Sequence, residues 1–231
     1  PAGAVWSLTV LLLVLAGGGY WFIAQKGPGG SDELQRHQKS VKKFSDEYEI
    51  AKGALSSDEL KKQVDALEGI RPPLSAAAEK YTDNVELKEL LVRLRFFSLE
   101  RVLLLSIQEG KLQQAESLIG ELLTFVQADW TKESEKQTWL KDMRSLLELA
   151  KGVVTVKKFR QEYPQPSKET AARPTREAVL SVSKISETIV KQKKDAGINI
   201  LLSVQFPLFG RVVSQVDEED LPVISHWKEM Q

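Results

Sequence analysis

The stretch VELKELLVRLRFFSLERVLLLSIQEG, residues 85–110, decides the fold of this chain. Its apolar residues recur at helical spacing in the first half and occupy more than one face in the second half. A helix that is apolar on several faces has to be buried between other elements. We therefore expect a mainly α-helical fold with this stretch at its centre and a core that includes Leu94, Phe97, Leu104, Leu118 and Leu122.

Capping signals and helix breakers divide most of the remaining chain into further helices. Ser56 and Glu59 have capping-box spacing, and Thr175 precedes another amphipathic stretch. Glycine and proline mark the helix ends. The predicted helices run from Ser31 to about Gly53, from Ser56 to a stop at Gly69, Pro72 and Pro73, from Asp83 to Gly110, over residues 111–127, from about Lys132 to Tyr163, and from Thr175 to Gly197. This pattern indicates a domain of helical hairpins or a helix bundle.

One octapeptide occurs twice, as VKKFSDEY at Val41–Tyr48 and as VKKFRQEY at Val156–Tyr163. In a helix, the valine, phenylalanine and tyrosine of each copy fall at i, i+3 and i+7, so each copy predicts one apolar stripe with its lysines facing outward. The copies indicate either a duplicated helical hairpin or two amphipathic helices of similar composition. Either origin concerns packing and not catalysis.

An uncharged apolar segment, VWSLTVLLLVLAGGGYWFIA, covers Val5–Ala24. A helix of about 20 residues is about 30 Å long, which matches the hydrocarbon core of a bilayer. Aromatic rings mark both ends, as is typical of membrane interfaces, with Trp6 at one end and Tyr20, Trp21 and Phe22 at the other. We expect residues 1–26 to be a transmembrane anchor. The alternative is a cleaved signal peptide. A signal peptide has a basic region before its apolar run, and no basic residue precedes this segment.

Three consecutive glycines, Gly17, Gly18 and Gly19, lie inside this segment. They leave a bare patch that another transmembrane helix could approach closely, and an end that simply faces lipid is the alternative. Residues 27–30 form a hinge of glycine and proline before the helical domain at 31–163. We expect a single-pass protein of a bacterial inner membrane. The basic residues after the segment favour a cytoplasmic body, and a basic extension before Pro1 would reverse that orientation.

Apolar residues alternate along the stretch from Ile198 to Leu208. A period of two predicts a strand, which Pro207 and Gly210 would turn into a short β-hairpin, and a helical interpretation stays open. A linker rich in proline and small polar residues, at 164–174, separates this region from the preceding helical domain.

The C-terminal region at 175–231 thus comprises a helix and an apolar segment that requires burial. The segment is expected to be a docking surface for a partner, carried by Phe206, Leu208 and Phe209. The alternative is that it completes the core of the helical domain.

Composition excludes several classes of function. Lysine and arginine total 32, and aspartate and glutamate also total 32, so no net charge favours a nucleic-acid partner. The absence of cysteine removes thiol nucleophiles, disulfides and thiolate metal sites. The two histidines, His37 and His226, lie far apart, and the motifs of serine hydrolases, zinc proteases and dinucleotide-binding enzymes are missing.

The acidic run Asp217–Asp220 is interpreted as a solvated loop. We expect no catalytic residues, no metal, no cofactor and no small-molecule substrate. The favoured hypothesis is a structural or assembly subunit of a larger membrane complex, with membrane proteins as partners in the lipid bilayer. A second hypothesis is a membrane-tethered adaptor whose helical hairpins form a groove for a peptide or regulatory protein. A third is an enzyme completed only by a partner chain.

Overall fold

The structure is a computed structural model that describes residues 31–49, 55–127, 138–164 and 173–230. These residues are mainly α-helical, and no β-strand occurs among them, which confirms the predicted class. The predicted anchor with its aromatic ends, the glycine patch and the hinge all lie outside the described residues, as does most of the predicted linker.

Helices make up most of the described residues. They are α1 (Ser31–Glu47), α2 (Ser57–Lys80), α3 (Val85–Glu109), α4 (Gln113–Val126), α5 (Thr138–Glu162), α6 (Arg176–Lys193), α7 (Ala196–Ile200), α8 (Pro207–Gln215) and α9 (Leu221–Glu229). Two π-helical segments, called here the first and second π turns, cover Leu201–Gln205 and Val216–Asp220. They join α7 to α8 and α8 to α9.

Several predicted signals set the helix ends. Ser56 and Glu59 form the capping box before α2, and the Thr175 side chain accepts a hydrogen bond from the Ala178 N–H before α6. Gly110 follows α3 with a φ of 69°, in the left-handed region that favours glycine. The cap of α3 is Asn84 and not Asp83, because the Asn84 side chain accepts from the Leu87 N–H.

Helix α3 is the centre of the structure, as its sequence predicts. It packs against α1, α2, α4 and α8, and its apolar side chains are buried on all sides. Consecutive helices from α1 to α6 pack as neighbours, and α9 packs on α6. Three of the five predicted core residues are buried, and two are partly buried against the core: Leu94, Leu104 and Leu122, then Phe97 and Leu118.

The buried apolar side chains of the described residues form two core clusters. The smaller one lies between α1, α2 and the first half of α3. The larger one includes residues on both sides of the predicted linker, from Leu55 to Phe159 and from Val179 to Trp227. The C-terminal region therefore shares a core with the helical domain that precedes it.

Helix α2 continues through Pro72 and Pro73 to Lys80, so the prediction that these prolines end it is wrong. Proline removes a backbone donor and disfavours helix at the preceding residue. The following residues Leu74, Ala77 and Ala78 compensate because they are buried in the smaller cluster. Burial here outweighs a local preference against helix.

The predicted β-hairpin is also wrong, because Ile198–Val216 forms the end of α7, the first π turn, α8 and the start of the second π turn. The alternating residues do not share a face: Ile200 and Val204 are 54% and 44% exposed. Leu201 and Phe209, which lie outside the alternation, are buried instead. The buried side chains of the segment therefore follow a helical period, and the alternation is coincidental.

Local capping explains why helices form at this place. The Asp195 side chain accepts hydrogen bonds from the N–H groups of Gly197 and Ile198, which starts α7 with only two residues between it and α6. Pro207 occupies the first position of α8, where its missing N–H removes no helical bond.

The chain bends by 115° between the first π turn and α8. After this bend, α8 returns so close to the π turn that a Cβ atom on Gly210 would overlap the carbonyl oxygen of Leu202. Only glycine allows two backbones to approach in this way. Within the described ranges no single helix has the length and hydropathy of a membrane span. The segments Ala196–Gln205 and Pro207–Glu229 meet that test only as one bent pair.

Both octapeptide copies bury the valine and the phenylalanine of the predicted stripe, and their tyrosines are partly buried. Val41 and Phe44 are buried in the first copy, as are Val156 and Phe159 in the second. The phenylalanine and tyrosine rings of each copy lie 5.0 and 5.1 Å apart between centroids. One lysine departs from the prediction, because Lys157 is only 7% exposed.

Gly210→Ala is expected to lower the free energy of unfolding, because the new methyl group meets a backbone oxygen that cannot rotate away. Overpacking of this kind typically costs about 1–3 kcal/mol. Urea unfolding followed by circular dichroism measures the change.

Gly69→Ala and Gly120→Ala are matched controls, because a Cβ at either position has no neighbour within 4 Å. Both glycines lie inside helices, so alanine should raise stability by up to about 1 kcal/mol. A Gly210→Ala variant that gains stability like the controls contradicts the close approach of α8 to Leu202.

Candidate functional site

A buried pair of opposite charges lies in the central helix α3. Glu100 and Arg101 of α3 are 2% and 3% exposed, and the Arg101 Nη1 and Glu100 Oε1 atoms are 2.5 Å apart. Removing two charges from water is costly unless their remaining donors and acceptors are satisfied. The surrounding elements supply those partners.

The Glu100 carboxylate caps the N-terminus of α8 from across the core. The Phe209 N–H donates to Glu100 Oε2 at 3.3 Å, and the Leu208 N–H lies close enough to lower the pKa of this carboxylate. Phe206, the N-cap residue of α8, makes no side-chain capping bond. A distant carboxylate therefore satisfies the first free N–H groups of α8 and lies at the positive end of its dipole.

Arg101 contacts groups on three helices. Its Nε donates to Gln63 Oε1 of α2 at 2.7 Å, and its Nη1 donates to the Phe97 carbonyl oxygen of α3 at 3.1 Å. Its guanidinium also lies over the Phe44 ring of α1, 5.0 Å from the centroid. The Glu100–Arg101 pair thus joins α1, α2, α3 and α8.

Burial raises the pKa of Glu100 to about 7, although Arg101 and the backbone N–H groups of Phe209 and Leu208 oppose the shift. Burial lowers the pKa of Arg101, which Glu100 opposes. A carboxyl group with a pKa near neutrality is frequent in active sites, but here the carboxylate lies inside the core and contacts only the protein's own groups. The arrangement serves packing and capping.

The three predicted docking residues lie inside the core. Phe206, Leu208 and Phe209 are at most 2% exposed, and all three belong to the larger cluster. The Phe206 ring lies 5.6 Å from the Phe96 ring and 5.5 Å from the Phe97 ring, measured between centroids. These side chains are not accessible to a partner in this structure. Their placement fits the alternative prediction, that the segment completes the core.

A second ion network connects α5 to the second π turn. Lys157 Nζ lies 2.8 Å from Oδ2 of Asp220, which is fully buried, and Arg160 Nη1 contacts Asp220 Oδ1 at 3.1 Å and Glu219 Oε2 at 2.6 Å. Arg160 holds the pKa of Glu219 below its ordinary value. The acidic run is therefore not a loop, because it forms the second π turn, and it is solvated only in part: Glu218 and Glu219 are exposed, whereas Asp220 is buried.

Asp217 of the acidic run is also paired, because it forms an ion pair with Lys193 at the end of α6. The acidic run thus holds α5 and α6 to the second π turn. Trp227 of α9 adds to this contact by donating its indole N–H to the Tyr163 carbonyl oxygen at 3.2 Å.

Sequence reasoning missed Glu100, Arg101 and Lys157. The first two carried a signal, because two adjacent charges inside an otherwise apolar stretch have to be paired wherever the stretch is buried. Lys157 carried none, since nothing in VKKF distinguishes it from the adjacent Lys158, which is exposed and pairs with Glu116.

Two shallow grooves are open to solvent. One, of about 200 Å³, lies between α4 and α5, with Ile119, Leu123 and Val154 as its apolar part and Glu116 and Lys151 as charged residues. The other, of about 280 Å³, lies between α6 and α9 and is lined mostly by serine, aliphatic and charged side chains. Among the described residues no group of three histidine or carboxylate side chains is placed to hold a metal ion.

The free energy of unfolding is expected to depend on pH because Glu100 titrates. Its pKa rises from 4.5 to about 7 on folding. The stability of the parent relative to Glu100→Gln should therefore be highest below pH 4.5 and should be lost as the pH rises through 7. The change should be roughly 3 kcal/mol at 1.36 kcal/mol per pKa unit. Urea unfolding of both proteins between those pH values measures it.

Glu59→Gln is the control of opposite sign. Hydrogen bonds from Ser56 lower the pKa of Glu59, so its contribution is constant above the ordinary pKa of 4.5 and is lost only as the pH falls below that value, to which the measurement on Glu59→Gln extends. A stability difference between the parent and Glu100→Gln that stays constant across this pH range contradicts the buried ionisation of Glu100.

Lys157→Met is expected to destabilise the fold by about 3 kcal/mol, because it leaves the buried Asp220 with Arg160 as its remaining cation. Lys158→Met is the matched control from the same octapeptide, and the loss of its exposed pair with Glu116 should change stability by less than about 1 kcal/mol. Thermal unfolding of both variants measures the difference. Equal effects would show that Lys157 is not buried in an ion pair.

Comparisons with protein-family profiles, curated protein sequences and solved structures gave no match.

Proposed function

We propose that this protein is a single-pass membrane subunit whose helical body holds or positions partner proteins in a larger membrane complex. The observation that carries the proposal is the uncharged segment Val5–Ala24, whose length matches a bilayer and whose ends carry Trp6 and the aromatic run Tyr20–Phe22. An anchor of this kind confines the body to a thin layer beside the membrane. Other proteins of the same membrane are then its nearest partners.

The ion networks of the body support a positioning role. The Glu100–Arg101 pair joins α1, α2, α3 and α8, and the Lys157–Asp220 pair joins α5 to the second π turn. Buried and paired charges hold their elements in one arrangement, because an alternative arrangement leaves a charge without a partner. A subunit that positions others needs such a fixed surface.

A second candidate function is an adaptor that binds a peptide, which the groove between α4 and α5 favours. Its apolar residues Ile119, Leu123 and Val154 lie beside Glu116 and Lys151, a combination that suits one aliphatic side chain of a helical peptide. Gly120 leaves open space in the same groove.

The test follows the full-length protein through its native membrane. We expect it to stay in the membrane during alkaline carbonate extraction with its N-terminus intact, and to co-purify from mild detergent with integral membrane proteins in a fixed stoichiometry. Quantitative mass spectrometry of the purified material gives the ratios.

Each result decides between the candidates. A protein that leaves the membrane in carbonate, or whose N-terminus is found beyond Gly19, excludes the anchor. Substoichiometric soluble partners whose capture is lost in Gly120→Leu, a change that fills the groove, support the adaptor instead. Gly69→Leu is the matched control, because Gly69 also lies in a helix with open space around its Cβ position.

A further inference from the structure

Helix α1 has a basic face opposite the face that it buries. Its apolar residues Leu34, Val41 and Phe44 pack against α2 and α3. At about 100° per residue, the basic residues lie on the opposite side of the helix. They are Arg36, Lys39, Lys42 and Lys43, and all four are exposed.

The basic face contains no acidic residue along its central turns. Between Leu34 and Ser45 the chain carries these four basic residues and no aspartate or glutamate. Acidic residues occur only at the two ends of α1, and two of them are paired: Glu33 with Lys80 at 3.4 Å, and Glu47 with Lys43 at 3.5 Å. The remaining two, Asp32 and Asp46, lie on the same side of the helix as the basic residues, but in its first and last turns. The middle of α1 therefore has a local positive charge although the whole chain is neutral.

This face also lies close in sequence to the apolar segment. Only six residues separate Ala24 from Ser31, the first residue of α1, and a chain of that length extends at most roughly 25 Å. A basic helix that begins this near a membrane span lies within reach of the lipid headgroups. Basic clusters beside membrane spans bind anionic lipids, at about 1 kcal/mol per lysine or arginine near the surface.

We propose that the exposed face of α1 binds the anionic headgroups of the bilayer that holds Val5–Ala24. The inference rests on the proposed anchor and adds to it a second contact with the membrane. The four basic side chains lie against lipid phosphates, while Leu34, Val41 and Phe44 keep α1 attached to the body. The contact fixes the orientation of the whole helical body relative to the membrane plane.

The test measures lysine accessibility in the full-length protein reconstituted into nanodiscs. One sample contains phosphatidylcholine alone, and in the other about a third of the lipid is phosphatidylglycerol. An amine-reactive acetylating reagent labels exposed lysines, and mass spectrometry reads each position. Lys39, Lys42 and Lys43 should label about fivefold more slowly in the anionic discs, the factor that corresponds to ~1 kcal/mol per residue. Raising the salt concentration should abolish the difference.

Lys61 and Lys62 of α2 are internal controls, because both are exposed on the helix next to α1 and lie beside Asp58, Glu59 and Asp65 in the sequence. Their labelling should be equal in the two discs. Equal labelling of Lys39, Lys42 and Lys43 in both discs would overturn the proposal, as would protection that salt does not reverse.

A lipid readout gives an independent check. The combined variant Arg36→Gln, Lys39→Gln, Lys42→Gln and Lys43→Gln should retain less phosphatidylglycerol when purified in polymer-bounded native discs, whereas Lys61→Gln with Lys62→Gln should match the parent. Carbonate extraction of the same samples separates the two claims. If carbonate removes the protein from the membrane, the proposed anchor is wrong. If the protein stays anchored but the combined variant retains as much phosphatidylglycerol as the parent, only the proposed α1 contact is wrong.

Discussion

The requirement that two adjacent charges be satisfied inside an apolar helix governs the arrangement of this protein. Glu100 and Arg101 face the core from α3, and each needs partners that water does not supply there. Gln63 of α2 accepts a hydrogen bond from Arg101, and the backbone N–H of Phe209 in α8 donates one to Glu100. Moving either helix leaves a charge or a helix end unsatisfied, so polar complementarity defines one packing where aliphatic contacts alone would tolerate several.

The two octapeptides show how context assigns different roles to the same residues. In both copies the valine and the phenylalanine are buried, and the residues that follow the valine are lysines. Lys42 lies on a free helix face, whereas Lys157 is covered by the C-terminal region and paired with Asp220. The apolar period thus determines the orientation of each helix, and later parts of the chain determine whether its lysines remain in water.

The sequence predicts the helical class, the central position of α3 and the caps at Ser56 and Thr175, because all of these depend on local periodicity and local hydrogen bonds. Its predictions fail where distant contacts override local preference. Burial of Leu74, Ala77 and Ala78 carries α2 past two prolines, and the returning α8 turns an alternating stretch into helices. The ion networks could not be found from single residues, since Glu100 and Phe209 are 109 positions apart.

That separation has a consequence for synthesis. Residues emerge from the ribosome in order, so Phe96, Phe97 and the Glu100–Arg101 pair are made long before Phe206 and α8 exist to cover them. A nascent chain that ends before α8 exposes aromatic surface and an incompletely satisfied carboxylate, the conditions under which partly folded chains aggregate. The central helix therefore depends on the last tenth or so of the chain, and premature termination there is expected to yield a protein for degradation rather than a shorter functional form.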